Sequence, residues 1–217
     1  MLTLEDARAW YSGEDSVHGF DHIQRVCRLA QRLAQEESAD QEIVYAAALL
    51  HDAQEPERPD RVAVGLGGRQ EHHHTSANFA RQVLQAEGWP AERAEAVLHC
   101  IRAHRFRDPS ERPATLEAQV LFDADKLDAI GAVGAARAIA FSAQNGAPFY
   151  APPSPAFLTK GQLEPGELHS AYHEYLYKLS RLKERLFTSA ARNLAEERHQ
   201  VMAAFFARLQ QEAQGEA

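Results

Sequence analysis

The sequence predicts an all-α protein of a single domain, and three observations carry that prediction. Apolar residues recur at steps of three and four along most of the chain. No alternating run of β-branched residues is long enough to make a strand. The segments that interrupt the helical pattern are few and rich in proline and glycine.

The elements follow in order. From Asp21 the positions Ile23, Val26, Leu29, Ala30 and Leu33 form one buried stripe on a helix. Asp40 is placed to cap the next helix, whose run 43–50 is apolar nearly all round and therefore reads as central. A third helix spans 75–87, stopped by Gly88 and Pro90, and a fourth spans 91–103. A long fifth helix is expected over 116–141, and a last pair over 168–186 and 188–211. Two long loops remain, 53–70 and 142–167, the second holding five of the ten prolines. Loops of this length in a compact domain often cover a functional site. The apolar helices flanking each loop need partners, so the expectation is one domain over 1–217. Its core is 18–141, with the terminal pair 168–211 packed on it.

Bulk properties narrow the function. With 217 residues, 45% apolar and 25% charged, the composition is that of an ordinary globular protein. No apolar run approaches the ~20 residues that span a bilayer, and the start MLTLEDARAW has no signal-peptide pattern. Cys27 and Cys100 stand alone inside helical patterns, as buried reduced thiols of a cytoplasmic protein would. The net charge of −8 argues against a nucleic-acid polymer as partner. It leaves room for a small anionic ligand in a locally cationic cleft. A homodimer is left open. Eleven histidines is a high count for this length and asks for a reason.

Three segments concentrate chemistry. His51-Asp52 ends the most buried helix; alone it is weak, since a histidine there often just bonds the last carbonyls. In His18-Gly-Phe-Asp21-His22-Ile-Gln-Arg25-Val26 the polar residues lie three or four apart and share a face bordering the apolar stripe. In Phe122-Asp123-Ala-Asp125-Lys126-Leu-Asp128-Ala-Ile-Gly131 three carboxylates sit among small and apolar residues, which is costly unless something neutralises them.

Together these segments resemble the HD superfamily of metal-dependent phosphohydrolases, and most closely its small stand-alone bacterial branch. The matching stretches are 18–26, 48–52, 101–104, 123–131 and 195–199, so the likeness covers nearly the whole chain. The resemblance implies an HD-type helical bundle with metal ligands His22, His51, Asp52 and Asp125. The recurrent Ala-Asp-Lys-Leu selects Asp125, with Asp123 as the alternative; Asp123 and Asp128 then read as residues that support the ligands or pack behind them. Two imidazoles and two carboxylates suit a divalent transition metal, manganese first, with iron, cobalt, nickel or magnesium as alternatives.

The catalytic candidates are Asp52, Glu55 and Lys126. Glu55 reads equally well as a solvated loop residue. Phosphate chains need cations around them, and His18, Arg25, His104, Arg105 and Lys126 are the substrate-binding candidates. His72, His73 and His74 are consecutive and point ~100° apart on a helix, which favours a helix-start or loop role over a metal cluster and leaves one of them able to approach the substrate. Arg198 and His199 read as a structural contact, and Tyr172, Tyr175, Tyr177, Phe205 and Phe206 as core. The implied reaction is hydrolysis of a nucleoside or deoxynucleoside triphosphate to monophosphate and pyrophosphate. Alternatives are hydrolysis of a guanosine alarmone and, from another class, a regulatory module that binds metal or nucleotide without turnover.

Overall fold

A computed structural model describes residues 2–11, 19–54, 72–105 and 111–216, apart from the side chain of His72. Every regular element among them is helical, as the periodicity predicts. By its backbone contacts the chain divides into two compact units. One holds residues 1–125 and 187–191, the other 126–186 and 192–217.

The first unit is built round a central helix. α1 (Leu4–Ala7) is closed by a Thr3–Asp6 capping box and continues into a 3₁₀ turn, Arg8–Trp10. α2 (Phe20–Glu37) buries His22, Ile23, Val26, Cys27, Ala30, Leu33 and Ala34, the expected stripe with a histidine at its edge, except that Leu29 is only half-buried. α3 (Gln41–Leu50) is buried nearly all round and packs against α1 and α2. It also packs against α4 (His72–Ala86) and α5 (Ala91–Ala103). The Asp40 carboxylate accepts from the amides of Glu42 and Ile43, both at 3.1 Å, as a cap should. Arg93 grips the same carboxylate with two nitrogens, at 2.8 and 3.1 Å, and so ties α5 to the start of α3. α4 begins three residues earlier than the periodicity suggests, at His72, so the three histidines form its first turn.

α6 spans Leu116–Asp128, and the expected long fifth helix ends there. α7 (Gly131–Gln144) starts afresh in the second unit. The break has a physical cause in Gly131, whose φ is +80°. A Cβ there would stand 3.1 Å from the side chain of Arg198. That guanidinium donates to the carbonyl of Leu127 at 2.5 Å, satisfying the end of α6. Arg137 donates to the Asp128 carboxylate at 2.7 Å, so Asp128 and Arg198 are the packing contacts expected of them.

The remainder of the second unit corrects the pattern further. Within 142–167 lies a short helix, α8 (Pro155–Lys160), capped by Ser154 with proline at its first position. The expected helix over 168–186 is instead α9 (Ala171–Tyr177) followed by a 3₁₀ stretch, Leu179–Arg185. α9 is short because its start is fixed by a capping box in which Ser170 and His173 bond each other. α10 (Ser189–Gln214) closes the chain. Tyr172, Tyr175 and Phe206 pack together as core residues do, with Tyr175 stacked on Phe206 at 4.4 Å, whereas Tyr177 and Phe205, expected in the core, are exposed.

No described helix is long and apolar enough to cross a membrane. Both cysteines are free and buried, and burial pushes the Cys27 thiol up to about 12.

Candidate metal centre

The end of α3 decides the geometry. His51 is its C-cap and is fully buried. Its Nδ1 lies 2.9 Å from the carbonyl of Ala48, one of the last-turn acceptors with no amide partner inside the helix. A carbonyl only accepts, so Nδ1 carries the proton and Nε2 carries the lone pair. Nε2 is buried and has no hydrogen-bond partner among the described residues. A buried imidazole lone pair without a donor is costly, and its cost is removed by a cation.

Two further side chains converge on that atom. One donor atom each from His22, His51 and Asp125 lie within 4.8 Å of one another. His22 is buried on the face of α2 that borders the apolar stripe, and its Nε2 is 3.5 Å from Asp125 Oδ1. Donors sharing one ion at ~2.1 Å each stand roughly 3–4 Å apart, so this spacing fits a divalent metal. Asp52 lies beside the group, with Oδ2 3.8 Å from His51 Nε2.

A third imidazole repeats the arrangement. His104 is the C-cap of α5, and its Nδ1 lies 2.6 Å from the carbonyl of Ile101. Its Nε2 faces Asp52 Oδ1 at 3.7 Å, and its ring stands 5.2 Å from that of His51. The three imidazoles are buried, whereas the side chains of Asp52 and Asp125 are 23% and 18% exposed, so access is from the carboxylate side.

Asp123 and Asp125 part company here. Asp123 is buried and accepts from the amides of Phe187 and Thr188 and from the Thr188 hydroxyl. Its carboxylate holds the chain entering α10, while Asp125 joins the two histidines.

The remaining candidates fall as follows. Lys126 is buried on the next position of α6. Arg105 is half-buried just beyond His104. Arg25 pairs with Asp21 at 2.6 Å on the outer part of α2, which is a helix-surface ion pair. His18 and Glu55 lie outside the described residues. His73 is buried in the first turn of α4 against the exposed His74, their rings 4.0 Å apart.

Sequence reasoning missed Tyr11. Its hydroxyl donates to the carbonyl of Leu49 at 2.6 Å, in the last turn before His51. Burial, and after it the charge of Asp52, pushes this phenol well above its ordinary range, so it is a neutral donor. Nothing in a lone tyrosine so far from the motif marks it in advance.

Comparison with known proteins identifies the family. The HD domain family matches residues 19–130, the stretch that carries His22, His51, Asp52 and Asp125. The chain belongs to the HD superfamily of metal-dependent phosphohydrolases. It is 35% identical over 99% of its length to YpgQ of Bacillus subtilis, of which 96% is covered. The crystal structure of YpgQ in complex with ADP superposes with a TM-score of 0.73 at 33% identity, covering 99% of this chain and 100% of that one. An HD-superfamily hydrolase from Bacillus thuringiensis gives a TM-score of 0.67 at 26% identity, covering 97% and 96%. As an HD protein, the chain is an enzyme that depends on a divalent metal.

Proposed function

We propose that the chain hydrolyses a phosphate bond of a nucleotide, acting on nucleoside or deoxynucleoside triphosphates to give monophosphate and pyrophosphate. The observation that carries this reading is the buried Nε2 of His51, held as a lone pair and grouped with His22 and Asp125. The nucleotide half of the reading draws on the ADP bound to the related YpgQ.

His22, His51, Asp52 and Asp125 would hold the ion, manganese being the metal to test first. When bound, it supplies Lewis acidity, polarising a phosphoryl oxygen and acidifying water. Asp52 offers its exposed edge to an incoming water and accepts a hydrogen bond from it, which orients the attack. His104 holds its Nε2 toward Asp52, where it can carry a proton to or from a phosphate oxygen. Lys126 and Arg105 supply positive charge for the phosphate chain, with His18 in the same role. Glu55 is a second carboxylate for positioning water. Arg25 contributes only by exchanging its partner Asp21 for phosphate.

The test is a panel of nucleoside and deoxynucleoside triphosphates, diphosphates and a guanosine alarmone, assayed with manganese and with product identification. Monophosphate and pyrophosphate from triphosphates is the expected result. Release from the alarmone alone would redirect the substrate, and fully metallated protein that cleaves none of them would refute hydrolysis of nucleotides.

A further inference from the structure

The segment Trp10–Tyr11 brackets the His51–Asp52 pair from both sides. Before the pair, the Tyr11 hydroxyl donates to the carbonyl of Leu49 at 2.6 Å. After it, the amide of Gln54 donates to the carbonyl of Trp10 at 3.2 Å. The last turn of α3 is thereby satisfied carbonyl by carbonyl. Ala48 receives His51 Nδ1, Leu49 receives Tyr11, and Leu50 receives the amide of Ala53. The first and third donors come from the chain that follows the helix, and only the second reaches in from elsewhere. It therefore fixes the turn that aims the His51 ring.

The bracket is itself anchored. Ala7 is fully buried and the Trp10 ring meets Phe79 of α4 edge-on at 5.7 Å. The Tyr11 ring lies 5.8 Å from Phe20, the first residue of the helix that carries His22. Tyr11 thus touches the origin of one histidine and the carbonyl turn of the other. All of these residues lie in one compact unit.

We propose that Tyr11 is a positioning residue for the metal centre, holding His51 and Asp52 in register with His22 through the carbonyl of Leu49. The inference rests on the metal-centre reading above and adds to it a residue outside the ligand motif. Groups that orient metal ligands typically change metal affinity or activity by about 10–100-fold when removed. A hydroxyl that merely stabilised the fold would lower the melting temperature and leave both quantities unchanged in folded protein.

The experiment compares Tyr11→Phe with Asp40→Ala, which removes the cap at the opposite end of the same helix. Manganese affinity is measured by titration, kcat and KM on the best triphosphate, and amide exchange at Ala53 and Gln54. Tyr11→Phe should bind manganese about 10–100-fold more weakly and exchange faster at both amides, with kcat reduced more than KM is raised. Asp40→Ala should lose stability while keeping wild-type affinity and kcat. Tyr11→Phe with wild-type affinity and wild-type exchange at both amides would overturn the proposal. Failure of the underlying reading has a separate signature, a wild-type protein that takes up no manganese. The exchange measurement then decides the bracket by itself, with unchanged protection in Tyr11→Phe counting against it.

Discussion

Replacing Asp123 and replacing Asp125, two residues apart on one helix, should break different things. In Asp123→Ala three donors lose their acceptor, the amides of Phe187 and Thr188 and the Thr188 hydroxyl, at 2.9, 2.8 and 2.7 Å. An orphaned buried donor costs about 1–3 kcal/mol. Donors in one network are not additive, so the expected loss is about 3–5 kcal/mol. At roughly 2–4 °C per kcal/mol for a chain of this size, the melting temperature should fall by about 6–20 °C. Asp125 is part-exposed, and its 3.5 Å approach to His22 is too long to count as a strong bond. Without metal, Asp125→Ala should melt above Asp123→Ala. The discriminating assay is melting with and without manganese. A ligand at a hundred times its Kd adds about 2.7 kcal/mol of stability. Wild type should gain that increment, Asp123→Ala should gain it from a lower baseline, and Asp125→Ala should not. A manganese response kept by Asp125→Ala and lost by Asp123→Ala would show that the wrong carboxylate has been assigned.

Further outcomes follow from single contacts. Lys126→Met keeps the aliphatic stem; metal content and melting should be little changed, while nucleotide hydrolysis should drop about a hundredfold, corresponding to ~2–4 kcal/mol of lost charge stabilisation. Near-normal turnover by the metallated variant would remove Lys126 from the site. Gly131→Ala places a side chain at φ +80° and against Arg198, so urea melts should show a loss of about 1–3 kcal/mol. Glu167 is pushed up by burial, but hydrogen bonds from Ser154, Glu164 and His173 outweigh this and hold it at about 2 against an ordinary 4.5. Its contribution is therefore complete above pH 4.5 and is lost as the pH falls toward 2. Glu167→Gln should flatten the acid limb of stability in that window, and equal slopes in the two proteins would refute the assignment.

What could be read in advance was what the chain specifies locally. The stripe on α2, the Asp40 cap and the apolar α3 depend on neighbours three or four residues away, and those appear as expected. His51 shows where the reading was incomplete rather than wrong. Bonding the last carbonyls and aiming at a metal were weighed as rivals, yet the first fixes the tautomer that the second requires. The break between α6 and α7 was hidden because Ala-Ile-Gly-Ala is compatible with a helix; the positive φ of Gly131 makes the break, and the distant Arg198 packs against that glycine and bonds the end of α6. The distinction between Asp123 and Asp125 likewise rests on the donors at 187–188. Tyr11 was invisible for the same reason, since a single hydroxyl acting on a remote carbonyl leaves no pattern.

The paired placement of His51 and His104 at the ends of α3 and α5 has an electrostatic consequence of its own. A helix C-terminus carries the negative pole of its peptide dipoles, equivalent to about half an elementary charge. Two such poles end at the same cluster of imidazoles, beside the carboxylates of Asp52 and Asp125. The backbone itself thus contributes a field that draws a cation inward and repels a bare phosphate chain.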